Sequence, residues 1–144
     1  MRRDLTPDDI ADLLHAPKCS TLATYRRDGM VLLSPVWHEW REGTFWVHVG
    51  RNDVKGQHVR SDPRVSLVLY DDTPPYCGIE MRGRATLIIE GEREAVRRIA
   101  IRYLGEKVGN AYVDGFNWEG MLLRIDAERT RIWDFRDEYT GLGG

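Results

Sequence analysis

Apolar positions change their spacing several times along this chain, and each change marks an element. Ile10, Leu13 and Leu14 recur at helical spacing. Thr6 suits an N-cap, Pro7 the first helical position, and Asp8 and Asp9 the positive helix end. Pro17 ends this first helix. Cys19 to Tyr25 then reads as a strand, and Arg26-Arg27-Asp28-Gly29 as a hairpin turn, because Asp-Gly tolerates positive φ. Met30 to Trp40 is a second strand, bent near Pro35. Arg41-Glu42-Gly43 is another turn, and Thr44 to Gly50 a third strand. Trp37, Trp40, Phe45 and Trp46 supply the aromatic enrichment typical of strands.

Asn52 or Asp53 caps a short helix over Val54 to Ser61, which Asp62-Pro63 stops. In Arg64 to Tyr70 the residues Val65, Leu67 and Leu69 share one face, and Ser66, Val68 and Tyr70 the other. Ile79 to Ile89 is a long strand in which Gly83 suggests a bulge or bend. Val96, Ile99, Ala100 and Tyr103 give helical spacing over Glu92 to Leu104. Gly105 to Phe116 reads as a loop or frayed helix end, Trp118 to Ile125 and Arg129 to Phe135 as two last strands, and the tail after Glu138 as mobile. The order is helix, three strands, helix, two strands, helix, two strands. Short turns make the first three strands antiparallel. The fold class is therefore mainly β (α+β): a small closed or split β-barrel with flanking helices. Residues 1–144 form a single domain.

Composition narrows the partners. Lys plus Arg number 21 and Asp plus Glu 23, a formal net charge of -2, so the whole chain has no attraction for nucleic acid or an anionic membrane. The charged N-terminus is unlike a secretory signal, and no apolar run reaches the length of a membrane span. Cys19 and Cys77 lack CxxC spacing. A cytoplasmic protein with reduced thiols is expected. Motifs of phosphate-loop, dinucleotide-binding, zincin and α/β-hydrolase type are all absent from the sequence.

Three stretches could carry chemistry. Gly50-Arg51-Asn52-Asp53-Val54-Lys55 runs from a strand end into a helix start. The first backbone N–H groups of a helix have no internal partner, and with the helix dipole they favour an anion. Arg51 could add a forked contact and Lys55 a point charge, while Gly50 permits close backbone approach. Asp53 competes, because its own carboxylate can cap the helix. The alternative is a capped helix with ordinary surface charges.

The second stretch is Ser34-Pro35-Val36-Trp37-His38-Glu39-Trp40. A turn centred near Gly43 would set His38 opposite His48 and Trp40 opposite Trp46. Val36, His38, Trp40, Trp46 and His48 would then share one face, and Trp37, Glu39, Phe45, Val47 and Val49 the other. No further ligand sits in metal spacing with the two histidines, so no metal site is expected. The third stretch, Pro74 to Arg84, places Arg82 and Arg84 on one face with Glu80, where they could pair with each other or attract an anion.

The chain resembles the pyridoxamine 5′-phosphate oxidase-like split β-barrel proteins, and within them the flavin- and deazaflavin-dependent oxidoreductases of the coenzyme F420 class. The resemblance is carried by Cys19 to Thr24 with the Asp28-Gly29 hairpin, by Ser34 to Trp37, by Arg51 to Lys55 running into His58 to Leu67, and by Tyr76 to Ala85. It implies an FMN-binding-like fold and a homodimer. It implies that Arg51 and Lys55, with Gly50, Asn52, Asp53 and Val54 around them, hold a cofactor phosphate. Ser34, Pro35, Val36 and Trp37 would line the ring system, and Tyr76, Gly78 and Ile79 would lie near the ring or the substrate mouth. The implied activity is hydride transfer from reduced coenzyme F420 to a small conjugated or unsaturated substrate. An FMN-dependent reductase or oxidase is the first alternative, and a flavin- or tetrapyrrole-binding protein without turnover the second. No catalytic side chain is singled out, although His38 is a conceivable proton donor. Met30 to Leu33 lacks the Arg or Lys of the oxidase proper, which argues against pyridoxal phosphate synthesis. Cys77 stands where close relatives would carry Arg.

Overall fold

The computed structural model describes residues 4–115, 117 and 119–139. A single seven-stranded antiparallel sheet, in the order β2-β1-β5-β6-β7-β4-β3, carries the fold. The strands are β1 (Ser20–Tyr25), β2 (Val31–Val36), β3 (Glu39–Arg41), β4 (Thr44–Gly50), β5 (Arg64–Tyr70), β6 (Cys77–Ile88) and β7 (Gly120–Asp134). The helices are α1 (Ala11–His15, entered through a 3-10 turn at Pro7–Ile10), α2 (Val54–Ser61), α3 (Glu92–Leu104) and α4 (Glu106–Asp114).

β2 and β3 lie at opposite edges of the sheet, yet only Trp37 and His38 separate them in sequence. A link that short spans no more than about 11 Å. The sheet must therefore curl until its edges nearly meet, which makes the split barrel. Leu22, Phe45, Val47, Leu67, Leu69, Ile79, Leu123 and Ile125 fill its interior. Ile10, Leu13 and Leu14 close one end, so the apolar stripe of the first helix serves as a plug.

His38 sits at the closure with no solvent exposure. Its Nε2 lies 3.0 Å from the Leu14 carbonyl, which can only accept, so that nitrogen carries the proton. Nδ1 then accepts from the Ser20 hydroxyl at 2.5 Å. The His38 N–H donates to the Tyr103 hydroxyl (3.2 Å), which donates in turn to the Lys18 carbonyl (2.7 Å). One residue thus ties α1, β1, α3 and the strand link together.

The structure departs from the sequence reading at three places. The long second strand divides into β2 and β3 at Trp37-His38, whereas the two last strands are one, β7. The strand count agrees because these differences cancel. Trp118, the expected start of a strand, and residues 140–144, expected to be mobile, lie outside the described residues. Within the stretch read as a loop or frayed helix end, Glu106–Asp114 form a helix of their own, α4. Gly109 is what lets it dock, since a Cβ there would lie 2.6 Å from the Ile101 Cα.

The register of the β3–β4 hairpin is also corrected. Glu42 and Gly43 both have positive φ (56° and 74°), the signature of a two-residue type I′ turn. Trp40 therefore pairs with Phe45 and Glu39 with Trp46. Trp40 packs on the barrel core with Phe45, while Trp46 faces outward beneath α3 with Ala95 and Leu122. His38 does not come opposite His48. Gly83 does mark a bulge, where β6 and β7 shift register after Arg82.

Burial lowers the pKa of His38 to about 4, with Arg102 and His15 pushing the same way against the Leu14 bond. Its folded value lies below its unfolded one, so the unfolded chain takes up a proton first as pH falls. The stability contributed by neutral His38 is thus lost between about pH 6.5 and pH 4. Between pH 7 and pH 5 this is about 2 kcal/mol. Urea midpoints should fall accordingly in the wild type, and His38→Gln should be less stable at pH 7 but show a flatter pH profile. An unchanged profile would remove His38 as the source.

Candidate functional site

β4 ends at Gly50, and the chain turns through Arg51 and Asn52 into the Asp53 cap of α2. The Asp53 side chain accepts from the Lys55 N–H at 2.9 Å, so the expected competition for the helix end is present. Asp53 Oδ1 also lies 3.2 Å from the Lys55 ammonium. Arg51 is oriented by a main-chain bond, Nε to the Gly120 carbonyl at 3.0 Å. Its outer edge meets the exposed Glu119 at 2.7 Å, a surface pair worth little in water. Gly56 brings α2 down onto β7, because a Cβ there would collide with the Met121 methyl.

Beside this helix start lies a cleft of about 300 Å³. Pro35, Val36 and Trp37 form one wall and Val96, Ile99 and Tyr112 another, while Gly50, Asp53, Lys55 and His48 supply the polar end. A second, more open hollow adjoins it at Gly50 and Asp53 and is bordered by Arg51, Asn52 and Glu119. Trp37 is held face to face against Tyr103, centroids 4.8 Å apart, with Tyr112 tilted against it at 5.7 Å. The cleft therefore joins an aromatic, apolar end to a polar end at which Lys55 and Asp53 face each other.

Two of the three expected groups of site residues converge there. Pro35, Val36 and Trp37 come together with Gly50, Asp53 and Lys55 in the cleft, and Arg51 and Asn52 stand in the adjoining hollow. Ser34 pairs with Leu22 in the β1–β2 ladder, and Val54 is an exposed first residue of α2. The third group lies elsewhere in this chain. Ile79 is fully buried in the core. Gly78 packs so closely on Trp133 that a Cβ would strike the indole, and Tyr76 is exposed. Cys77 is a buried free thiol whose pKa burial raises, and Cys19 is an exposed one.

The α3–α4 wall was not foreseen. Val96 and Ile99 were legible as an apolar helical stripe, but α4 read as a loop left no element to carry Tyr112. His48 also gains a different role. Its Nε2 lies 2.8 Å from the Glu92 carboxylate at the start of α3. Burial lowers its pKa despite that partner, so the ring is neutral at neutral pH. His38, weighed as a proton donor, lies in the core hydrogen-bond network and does not line the cleft.

The family model for pyridoxamine 5′-phosphate oxidase matches residues 6–134. The chain belongs to that family. The conserved hypothetical protein Rv2991 from Mycobacterium tuberculosis is 32% identical, with 96% of this chain and 91% of that one covered at a TM-score of 0.78. Two more distant structures share the fold. An F420 reductase is 18% identical (83% of this chain, 94% of that one, TM-score 0.68). HutZ, the heme storage protein from Vibrio cholerae, is 16% identical (93% and 95%, TM-score 0.67). No protein of curated function matches the chain.

The cleft floor depends on Gly120. A Cβ at that position would collide with the His48 ring and sit 3.0 Å from the Glu92 carboxylate. Gly120→Ala should therefore cost about 1–3 kcal/mol of stability and displace His48 from Glu92. Chemical denaturation, with the His48 ring signals followed by NMR, checks both effects.

Proposed function

We propose that this protein is an oxidoreductase that binds reduced coenzyme F420 in the cleft and acts on a small conjugated or unsaturated substrate. The observation that carries this reading is the union, in one cleft, of the Pro35–Val36–Trp37 wall with Lys55 at the start of α2. A flat ring system fits the apolar end, where Trp37 is fixed by its stack on Tyr103. A phosphate fits the other end, where Lys55 exchanges Asp53 for the ligand and Arg51 stands one turn before it. When bound, the reduced deazaflavin supplies a hydride. The protein's own residues hold the ring, anchor the phosphate and screen one side of the cleft with α3 and α4. The proposal includes a homodimer, for which the exposed apolar residues Met30, Val31 and Leu33 on and beside edge strand β2 offer a surface.

FMN is the second cofactor to test, because the same cleft suits its isoalloxazine and its phosphate. Fluorescence titration with each cofactor separates the two. Tight binding of coenzyme F420 with weak or no binding of FMN is the expected result. The reverse would assign the protein to the flavin branch, and binding of neither would overturn the proposal. Bound cofactor with no turnover of any acceptor would make it a flavin- or tetrapyrrole-type binder without enzymatic activity.

Two substitutions localise the binding. Lys55→Ala should weaken the phosphorylated cofactor by on the order of 1.5–3 kcal/mol, the loss of a charge-assisted contact. Trp37→Ala should weaken the ring more than the phosphate, seen as a larger loss for the intact cofactor than for a phosphate-bearing fragment. If Lys55→Ala binds as the wild type does, the phosphate lies elsewhere.

A further inference from the structure

The outer face of the sheet carries a charged cluster that hydride transfer in the cleft does not use. In the β6–β7 ladder Glu80 lies opposite Arg131, and Arg82 lies directly opposite Arg129. Residues two apart on a strand share a face, so these four side chains form a compact square. With Thr130 they line an open hollow of about 500 Å³. Ser66 of β5 lies opposite Arg82 on its other side and continues the row.

The charges there do not balance. Glu80 Oε1 lies 3.3 Å from Arg82 and 3.5 Å from Arg131, so one carboxylate pairs with two guanidiniums while Arg129 lines the same hollow. Nearby acids are committed elsewhere. Glu128 is the extra residue of the β-bulge, and it pairs with Arg84 at 3.1 Å. Asp126 takes Arg124 and the Thr86 hydroxyl. Like charges directly opposite in an antiparallel pair destabilise it. Arg131 is further oriented by Trp133, its guanidinium 4.7 Å from the ring centroid. A surplus of two positive charges, presented by planar forks in a hollow, matches one compact dianion.

We propose that this hollow is a binding site for a phosphate group of the dianionic type, held between Arg82 and Arg129 with Arg131 beside it. The site is separate from the cleft. Gly120, at the cleft, and Arg129 stand toward opposite ends of β7, with about 30 Å of strand between them.

Inorganic phosphate is the probe, titrated calorimetrically into the full chain at constant ionic strength. The expected result is saturable binding that survives Lys55→Ala and weakens about tenfold or more in the double variant Arg82→Gln/Arg129→Gln. If the double variant fails to fold by circular dichroism, Arg129→Gln alone, altering an exposed side chain, replaces it. Three results would overturn the proposal. One is the absence of saturable binding to the wild type. Another is loss of binding in Lys55→Ala while the arginine variant binds normally, which would place the anion in the cleft. The third is a halving of the arginine variant's mass by sedimentation, which would make the face a contact between copies. Loss of cofactor binding in the cleft leaves this test unaffected, so the two readings fail independently.

Discussion

The two-residue link between β2 and β3 is the constraint on which this structure depends. Strands consecutive in sequence occupy opposite sheet edges, and Trp37 and His38 alone bridge them. Because side chains alternate, the two residues go separate ways. His38 enters the interior and ties together the plug helix, β1 and α3. Trp37 goes to the helical layer and stacks on Tyr103. Tyr103 contacts both, so one tyrosine registers the closure of the barrel against the wall of the cleft. The same covalent link that forces curvature thereby places an aromatic surface beside the start of α2.

A second clamp fixes α3 on the barrel. Glu39, the first residue of β3, accepts from Arg98 at 2.7 and 3.1 Å and from Arg41 at 2.9 Å. Burial pushes its carboxyl upward, but the paired guanidiniums outweigh this and hold it below the usual carboxylate range. A buried charge with several partners is costly to orphan. The position of α3, and with it Val96 and Ile99 in the cleft, is therefore tied to the edge strand of the sheet.

How much of this was legible depended on the range of the deciding interaction. Local signals were sufficient for α2, α3 and β5, whose caps, breakers and periodicities lie within their own windows. They also marked the bulge at Gly83, where the partner strand approaches too closely for a side chain. The β3–β4 register was missed because the loop is one residue shorter than the Arg41-Glu42-Gly43 turn read from the sequence: Glu42 adopts positive φ without being Gly, Asn or Asp. α4 was missed because Gly105, Gly109 and Gly115 suggested a loop, whereas one of them, Gly109, exists for contact with α3. The convergence of Pro35–Trp37 with Gly50–Lys55 was expected from family resemblance, not from spacing. It depends on barrel closure, which no local pattern encodes.

The topology has a consequence for the order in which the chain can assemble. β1–β2, β3–β4 and β5–β6 are hairpin or near-hairpin pairs, available soon after their residues exist. β4 is different: its only neighbour besides β3 is β7, with Gly50 pairing to Gly120. On a ribosome, the β3–β4 hairpin must therefore wait with one edge unpaired until the last long strand has emerged. The interior face of Phe45, Val47 and Val49 stays uncovered for that interval. Such long-range pairing slows folding and leaves apolar strand surface open to wrong partners. β7 thus acts late and at once on both halves of the barrel, and a chain truncated within it would lose the closure along with the strand.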